Sequence, residues 1–438
     1  MAVATDGGAS GRSPITRRRL LTVAMAVLGA ATAEAGPLAG MAGAATSPGR
    51  LLVPGYRSLE ALGRGGLLVD QPGVARLPAG WDGPRTLLSV LDLAAPDAPP
   101  RRAAYPLRGH GTALVPAAGI GIFAGMEGRT MVAFDAASLD LVAMAETLRP
   151  GWHFGGHAVA LPDGRHIAVT ERAPAVPAGP DRAGDLARMA GRVVIREAAS
   201  LRPVADFSSH GLRPHDIRLT ADGRHLVVAN YGSTVVADGD FALTTIPHIL
   251  APCAAIIELA SGKLVARFAP ADLRAELRHL AAPALDRVFA VLARLEAAAS
   301  GGSAGGDPVA GPGLTYAPAA PVRRDGAEAV PLMKGTEDRA RQALSIAHDP
   351  ATDRVWITFP SSHLVAVFDG AGGRTLRLIE TDRLGLHWPC GIAPSADGRH
   401  WLVTGYWGGM LSLDGTTLQP GPVNAAPLWW GHSHTVTG

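Results

Sequence analysis

The residues in this sequence best suited to chemistry are its histidines, 15 in a chain of 438. Neutral imidazole ligates Zn, Cu, Fe or Ni, and its charge changes near neutral pH. His110, His157, His215 and His279 each open a short β-patterned phrase, with His153, His210 and His387 close to such openings. His432 and His434 end the chain as His-x-His, which on a strand puts both rings on one face. If these phrases converge in space, they build a histidine-lined mouth. Its candidate transition-metal ligands are His157, His215, His432 and His434. The competing reading is structural: a histidine at a strand start ties neighbouring backbones together. No compact motif such as His-Glu-x-x-His selects between the two.

Other residues fall at equivalent places around the same phrases. Glu171, Asn230 and Tyr406 each follow a second hairpin strand, where a polar group serves either a ligand or a turn. His387 and Trp388 precede another phrase, and Trp407, Trp429 and Trp430 lie further along. These aromatics form either a ligand wall or packing between repeats. The candidate ligand-binding set is therefore His110, His157, His215, Glu171, Asn230, His387, Trp388 and Tyr406, with no catalytic residue assigned.

The elements that must position these groups are repeats. Gly155 to Glu171, Arg213 to Gly232 and Trp388 to Gly408 share one pattern: a short apolar run, Asp-Gly-Arg-His, then a returning run rich in β-branched residues. Asp-Gly is a tight-turn signal, so each phrase predicts a hairpin of buried strands. Further strands follow, such as Met131–Asp135 and Leu364–Asp369. Weaker copies bring the openers to His110, His157, His215, His279, Leu344, Cys390 and His434, roughly 44 to 65 residues apart. Seven units at that period predict an all-β, seven-bladed propeller over residues 46–438. The last unit begins at the chain end, so strands from about Arg50 to Leu93 must complete it and close the ring. Ala173 to Ala190 and Ala297 to Gly326 read as loops. Ala271 to Leu280 has helical character, which makes the fourth blade the weakest assignment.

Composition narrows the function classes. Forty basic against 38 acidic residues give a formal charge of +2, with no electrostatic footprint for nucleic acid. Gly-rich stretches lack the strand-to-helix context of a phosphate loop, and no Gly-x-Ser-x-Gly elbow is present. Cys253 and Cys390 sit in apolar runs and read as two buried thiols, although an oxidising compartment permits one disulfide. Thr16-Arg17-Arg18 with Leu20 and Leu21, followed by a weakly apolar stretch to Ala33, matches a twin-arginine export leader over residues 1–45. The stretch is too short for a confident span, so the expectation is a periplasmic monomer without a membrane span once the leader is removed.

Arg149-Pro150-Gly151-Trp152-His153-Phe154-Gly155-Gly156-His157 and Ser209-His210-Gly211-Leu212-Arg213-Pro214-His215-Asp216 carry a resemblance. The chain resembles a family of unknown function: twin-arginine-exported proteobacterial propellers, often encoded beside imelysin-type iron-uptake proteins and di-haem peroxidase-like cytochromes. It departs from that family after Ala229-Asn230, where Tyr231-Gly232-Ser233 replaces the usual continuation. The resemblance implies a binding or scaffold role linked to iron or haem-protein traffic, with periplasmic iron-uptake proteins as partners. The phrase from Pro214 to Asn230 is also similar to propeller lactonases, which implies the alternative of a hydrolase with a His-lined site.

Overall fold

The computed structural model describes residues 49–56, 86–126, 128–174, 189–233, 249, 251–298, 313–326, 328–332, 337–406, 408–424 and 434–438. The expected leader, His432, Trp407, Trp429, Trp430 and most of the 173–190 loop lie outside them.

The strand phrases form seven antiparallel sheets, the blades of a seven-bladed β-propeller. Innermost strands are Gly109–Val115 in blade 1, His153–Ala160 in blade 2, Pro214–Leu219 in blade 3 and Glu276–Ala281 in blade 4. Ile346–Asp349, Pro389–Pro394 and Val436–Thr437 hold that place in blades 5, 6 and 7. Blade 7 is composite: Val436–Thr437 pairs with Arg50–Tyr56 through Leu51↔Thr437 and Leu52↔Val436. Thr86–Asp92 and Arg101–Tyr105 complete that sheet. Head and tail are thus hydrogen-bonded in one blade, as the repeat count requires.

Each blade is sandwiched between two others, which explains why middle strands are apolar on both faces. Along His225–Asn230, Leu226 and Val228 enter the core shared by blades 2 and 3. Val227 and Ala229 enter the core shared by blades 3 and 4. The same period-two division recurs around the ring, and the last junction packs Leu52, Leu88 and Tyr105 of blade 7 against Phe123 and Phe134 of blade 1. Outermost strands cover one core only, so Leu141–Glu146 alternates between half-buried and exposed residues.

The Asp-Gly-Arg turns are as the sequence implies. Gly164, Gly223 and Gly398 have φ of +65°, +67° and +67°, a conformation that glycine adopts without strain. Asp163 Oδ1 accepts from the backbone N–H of Arg165 and of His166, and its other oxygen holds the His166 ring at 2.5 Å. Three histidines, His166, His225 and His400, are turn residues of this kind.

Two expectations need correction. Residues 276–281 are a fully buried innermost strand with no helical turn; burial between two blades overrides the local helical pattern. The 297–326 segment is not wholly loop, since Leu314–Ala317 and Val322–Asp325 are strands that pair with Arg287–Ala297. Cys253 and Cys390 are separate buried thiols.

Candidate metal centre

Regular strand pairing would alternate side chains between the two inter-blade cores, leaving none aimed at the axis. The inner strands break that alternation where the histidines stand. Pairing with the second strand shifts register between Gly109 and Thr112, Phe154 and Ala158, Pro214 and Ile217, and Leu277 and His279. A bulge leaves extra residues unpaired and re-aims their side chains. Those residues include His110, His157 and His215, with His279 at the edge of its shift. His434 joins them from the segment that enters the blade 7 strand. Glycines make room: a Cβ on Gly111 would lie 2.6 Å from His157 Nδ1, and Gly156, at φ +108°, packs on His110 and His215.

Five imidazoles from five blades therefore meet on the axis, with nine of the ten ring pairs having centroids 4.3–6.1 Å apart. All five are buried, the most exposed being His434 at 8%. His110, His157, His279 and His434 each offer a ring nitrogen, all within 4.8 Å of one another.

Each ring has polar neighbours. His215 Nδ1 lies 2.5 Å from the Gly155 carbonyl and 2.9 Å from Arg172 Nη2, and its Nε2 faces His279 Nε2 at 2.9 Å. His279 Nδ1 has no hydrogen-bond partner among the described residues. Asp216 Oδ1 lies 3.5 Å from His157 Nδ1, and His157 Nε2 likewise has no partner among the described residues. His434 Nδ1 meets the Ser345 hydroxyl at 2.7 Å, while its Nε2 is 3.2 Å from His110 Nε2. An outer carboxylate, carbonyl or hydroxyl that sets tautomer and orientation is characteristic of metal-binding histidine. A bare buried nitrogen costs about 1–3 kcal/mol when nothing satisfies it.

Burial holds His157, His215 and His279 well below the usual imidazole range. Neighbouring imidazoles reinforce the shift, as does the charge of Arg218 on His157 and His279. The rings are neutral at pH 7, the state in which imidazole donates to a metal. The Arg172 guanidinium closes over His215: it donates to the carbonyls of Pro214 and Gly155, both at 3.0 Å, and covers the Tyr231 ring. The Tyr231 ring lies 4.6 Å from that of His215, tilted by 48°.

On one side of the cluster runs an axial cavity of about 490 Å³, lined by all seven innermost strands and by His157 and His434. Arg218 and His348 are its basic side chains. His348 is engaged with Asp353 at 2.8 Å.

The other sequence-derived candidates lie apart from the five rings. Glu171 is buried, pairs with Arg196 at 2.8 Å and accepts the Leu148 N–H. Burial raises its carboxyl despite the arginine. Asn230 Nδ2 reaches the Ser209 and Val228 carbonyls, joining blade 2 to blade 3. His387 and Trp388 group with His363 at 5.7 and 5.4 Å, and Tyr406 packs near Tyr316. Asp216, Arg218, Arg172 and Ser345 were not singled out from sequence. The opener expected at Leu344 is one residue early, since Ser345 meets His434.

A family described as "Protein of unknown function (DUF1513)" matches residues 103–436. No curated protein matches the chain significantly. Hydrazine synthase of Kuenenia stuttgartiensis is similar in structure at 12% identity and TM-score 0.55, over 76% of this chain and 90% of that one. The dihydro-heme d1 dehydrogenase NirN aligns at 12% identity and TM-score 0.47, over 92% and 77%. A Bacteroides caccae protein of unknown function aligns at 10% identity and TM-score 0.42, over 89% and 99%. At such identities the likeness concerns fold alone.

Proposed function

We propose a function for this chain, which belongs to the DUF1513 family of proteins of unknown function, from its axial site: it binds a first-row transition-metal ion there. One observation carries the reading. Four buried histidines from four blades bring ring nitrogens within 4.8 Å of one another, and two of the rings carry a nitrogen with no hydrogen-bond partner among the described residues. Four imidazoles on one ion at about 2.0–2.1 Å would stand about 3.3 Å apart, within reach of small side-chain rotations. A neutral all-nitrogen set suits Zn, Cu, Ni or Fe and disfavours Mg and Ca. With Asp216 Oδ1 3.5 Å from His157 Nδ1 and the Ser345 hydroxyl hydrogen-bonded to His434, polar groups stand behind two of the rings.

The chemistry supports binding over hydrolysis. No carboxylate belongs to the four-residue group, and Asp216 accepts from Ile217 N, Arg218 Nε and Leu280 N. A lactonase-type base is therefore not evident at the cluster. The Arg17-Arg18 leader supports twin-arginine export to the periplasm, where a monomeric metal-binding propeller would serve iron or haem-protein traffic beside iron-uptake partners. No helix among the described residues is long and apolar enough to cross a membrane.

Elemental analysis of the purified full-length protein tests the reading. The expected result is about one equivalent of a transition metal, lost in a His157→Ala, His279→Ala variant that remains folded. Metal-free protein that takes up none of Zn, Cu, Ni or Fe would overturn it.

A further inference from the structure

The metal reading leaves a charge imbalance that the channel is built to resolve. A divalent ion bound by four neutral imidazoles keeps its full charge in a buried setting, where uncompensated charge is expensive. Arg172 stands at His215, and Arg218 is near enough to His157 and His279 to depress both. Against these cations stands Asp216, already held by three donors. Two guanidinium groups therefore stand against one carboxylate, before any metal charge is added.

The axial cavity supplies a place for a compensating anion. His157 and His434 are the two members of the four-histidine group that face the cavity, and Arg218 lines the same wall. Arg218 uses Nε to hold Asp216 at 3.0 Å, its side chain is 41% exposed, and no described residue hydrogen-bonds its two terminal nitrogens. Those nitrogens form the fork that recognises carboxylates. About 490 Å³ is room for a small organic molecule.

We propose that the channel admits a small carboxylate whose oxygen completes the metal's coordination beside His157 and His434 while Arg218 binds the same carboxylate. The proposal rests on the metal reading and deepens it, by assigning the bound ion a carboxylate-class co-ligand. Asp216 then has two duties, orienting His157 and holding Arg218 toward the channel.

The test uses full-length protein loaded with Co(II), whose visible absorption reports coordination, titrated with acetate and, separately, with acetamide. Saturable spectral change with acetate and none with acetamide is expected. Arg218→Met should keep cobalt stoichiometry and weaken acetate binding about 10-fold or more, the worth of a charge-assisted contact. Arg218→Lys, which keeps the charge and loses the fork, should recover only part of the affinity. Failure to load cobalt, Zn, Cu, Ni and Fe alike overturns both this proposal and the metal reading. Normal loading with no response to acetate, or equal acetate affinity in Arg218→Met, overturns the carboxylate site and leaves the metal reading standing.

Discussion

Lowering the pH of the metal-free protein should destabilise it steeply between about pH 7 and 5.5, and the size of the effect follows from the axial rings. His157, His215 and His279 are neutral in the fold because burial and neighbouring charge push them well below the ordinary range. In the unfolded chain each titrates near 6.5. Below that value the unfolded state binds more protons than the folded one, so stability is complete above about 6.5 and falls as pH decreases. Linkage sets the ceiling: a ring neutral in the fold and charged in the unfolded chain costs up to about 1.4 kcal/mol per pH unit below 6.5, and three such rings act together. At that ceiling the combined loss is a large part of the roughly 5–15 kcal/mol typical of a folded domain. Carboxylates held low by their partners, such as Asp163 and Asp353, release their contributions only as pH falls through about 4, so this window reports mainly on buried histidines, together with the raised carboxyl of Glu171. Urea unfolding of chelator-treated protein, followed by tryptophan fluorescence, measures the loss. His279→Gln should make the loss shallower. A loss of the same size in that variant would refute the account of neutral buried imidazoles on the axis.

Other expectations concern individual residues. Asp216→Asn should weaken metal binding about 10- to 100-fold by loosening His157, measured by competition with a chromophoric chelator. Gly111→Ala should weaken it at least as much, because the new Cβ would lie 2.6 Å from His157 Nδ1, and the same assay reads it. Glu171→Ala should cost about 3–5 kcal/mol by stranding the buried Arg196, while metal stoichiometry measured on the folded fraction stays unchanged. Deleting residues 436–438 removes the strand that closes blade 7 and should lower the Tm sharply with loss of a single cooperative transition, seen by calorimetry.

Much of the architecture is legible in the sequence because the repeats carry their own punctuation. Asp163-Gly164, Asp222-Gly223 and Asp397-Gly398 mark turns whose geometry depends on those two residue types. Apolar runs such as Leu226–Ala229 then declare strands buried on both faces. Aligning the phrases brings His110, His157, His215, His279 and His434 to comparable positions, and those are the rings that meet. Periodicity does not reveal the bulges that turn the rings toward the axis. Nor does it reveal partners drawn from other blades, such as Ser345 for His434, or Leu280 N for the Asp216 that orients His157. Glu171 and Asn230 illustrate the limit: both follow second strands, yet one neutralises Arg196 and the other joins two blades. A strand position tells which element a residue belongs to, whereas its partner depends on the neighbouring sheet.

X-ray absorption at the K edge of the bound metal tests the central claim most directly. Coordination by the axial rings predicts a nitrogen shell at about 2.0–2.1 Å for zinc, with the outer-shell scattering of about four imidazoles, diminished in step in His157→Ala and His279→Ala. A shell of oxygens or sulfur without imidazole scattering, or a spectrum unchanged in both variants, would contradict it.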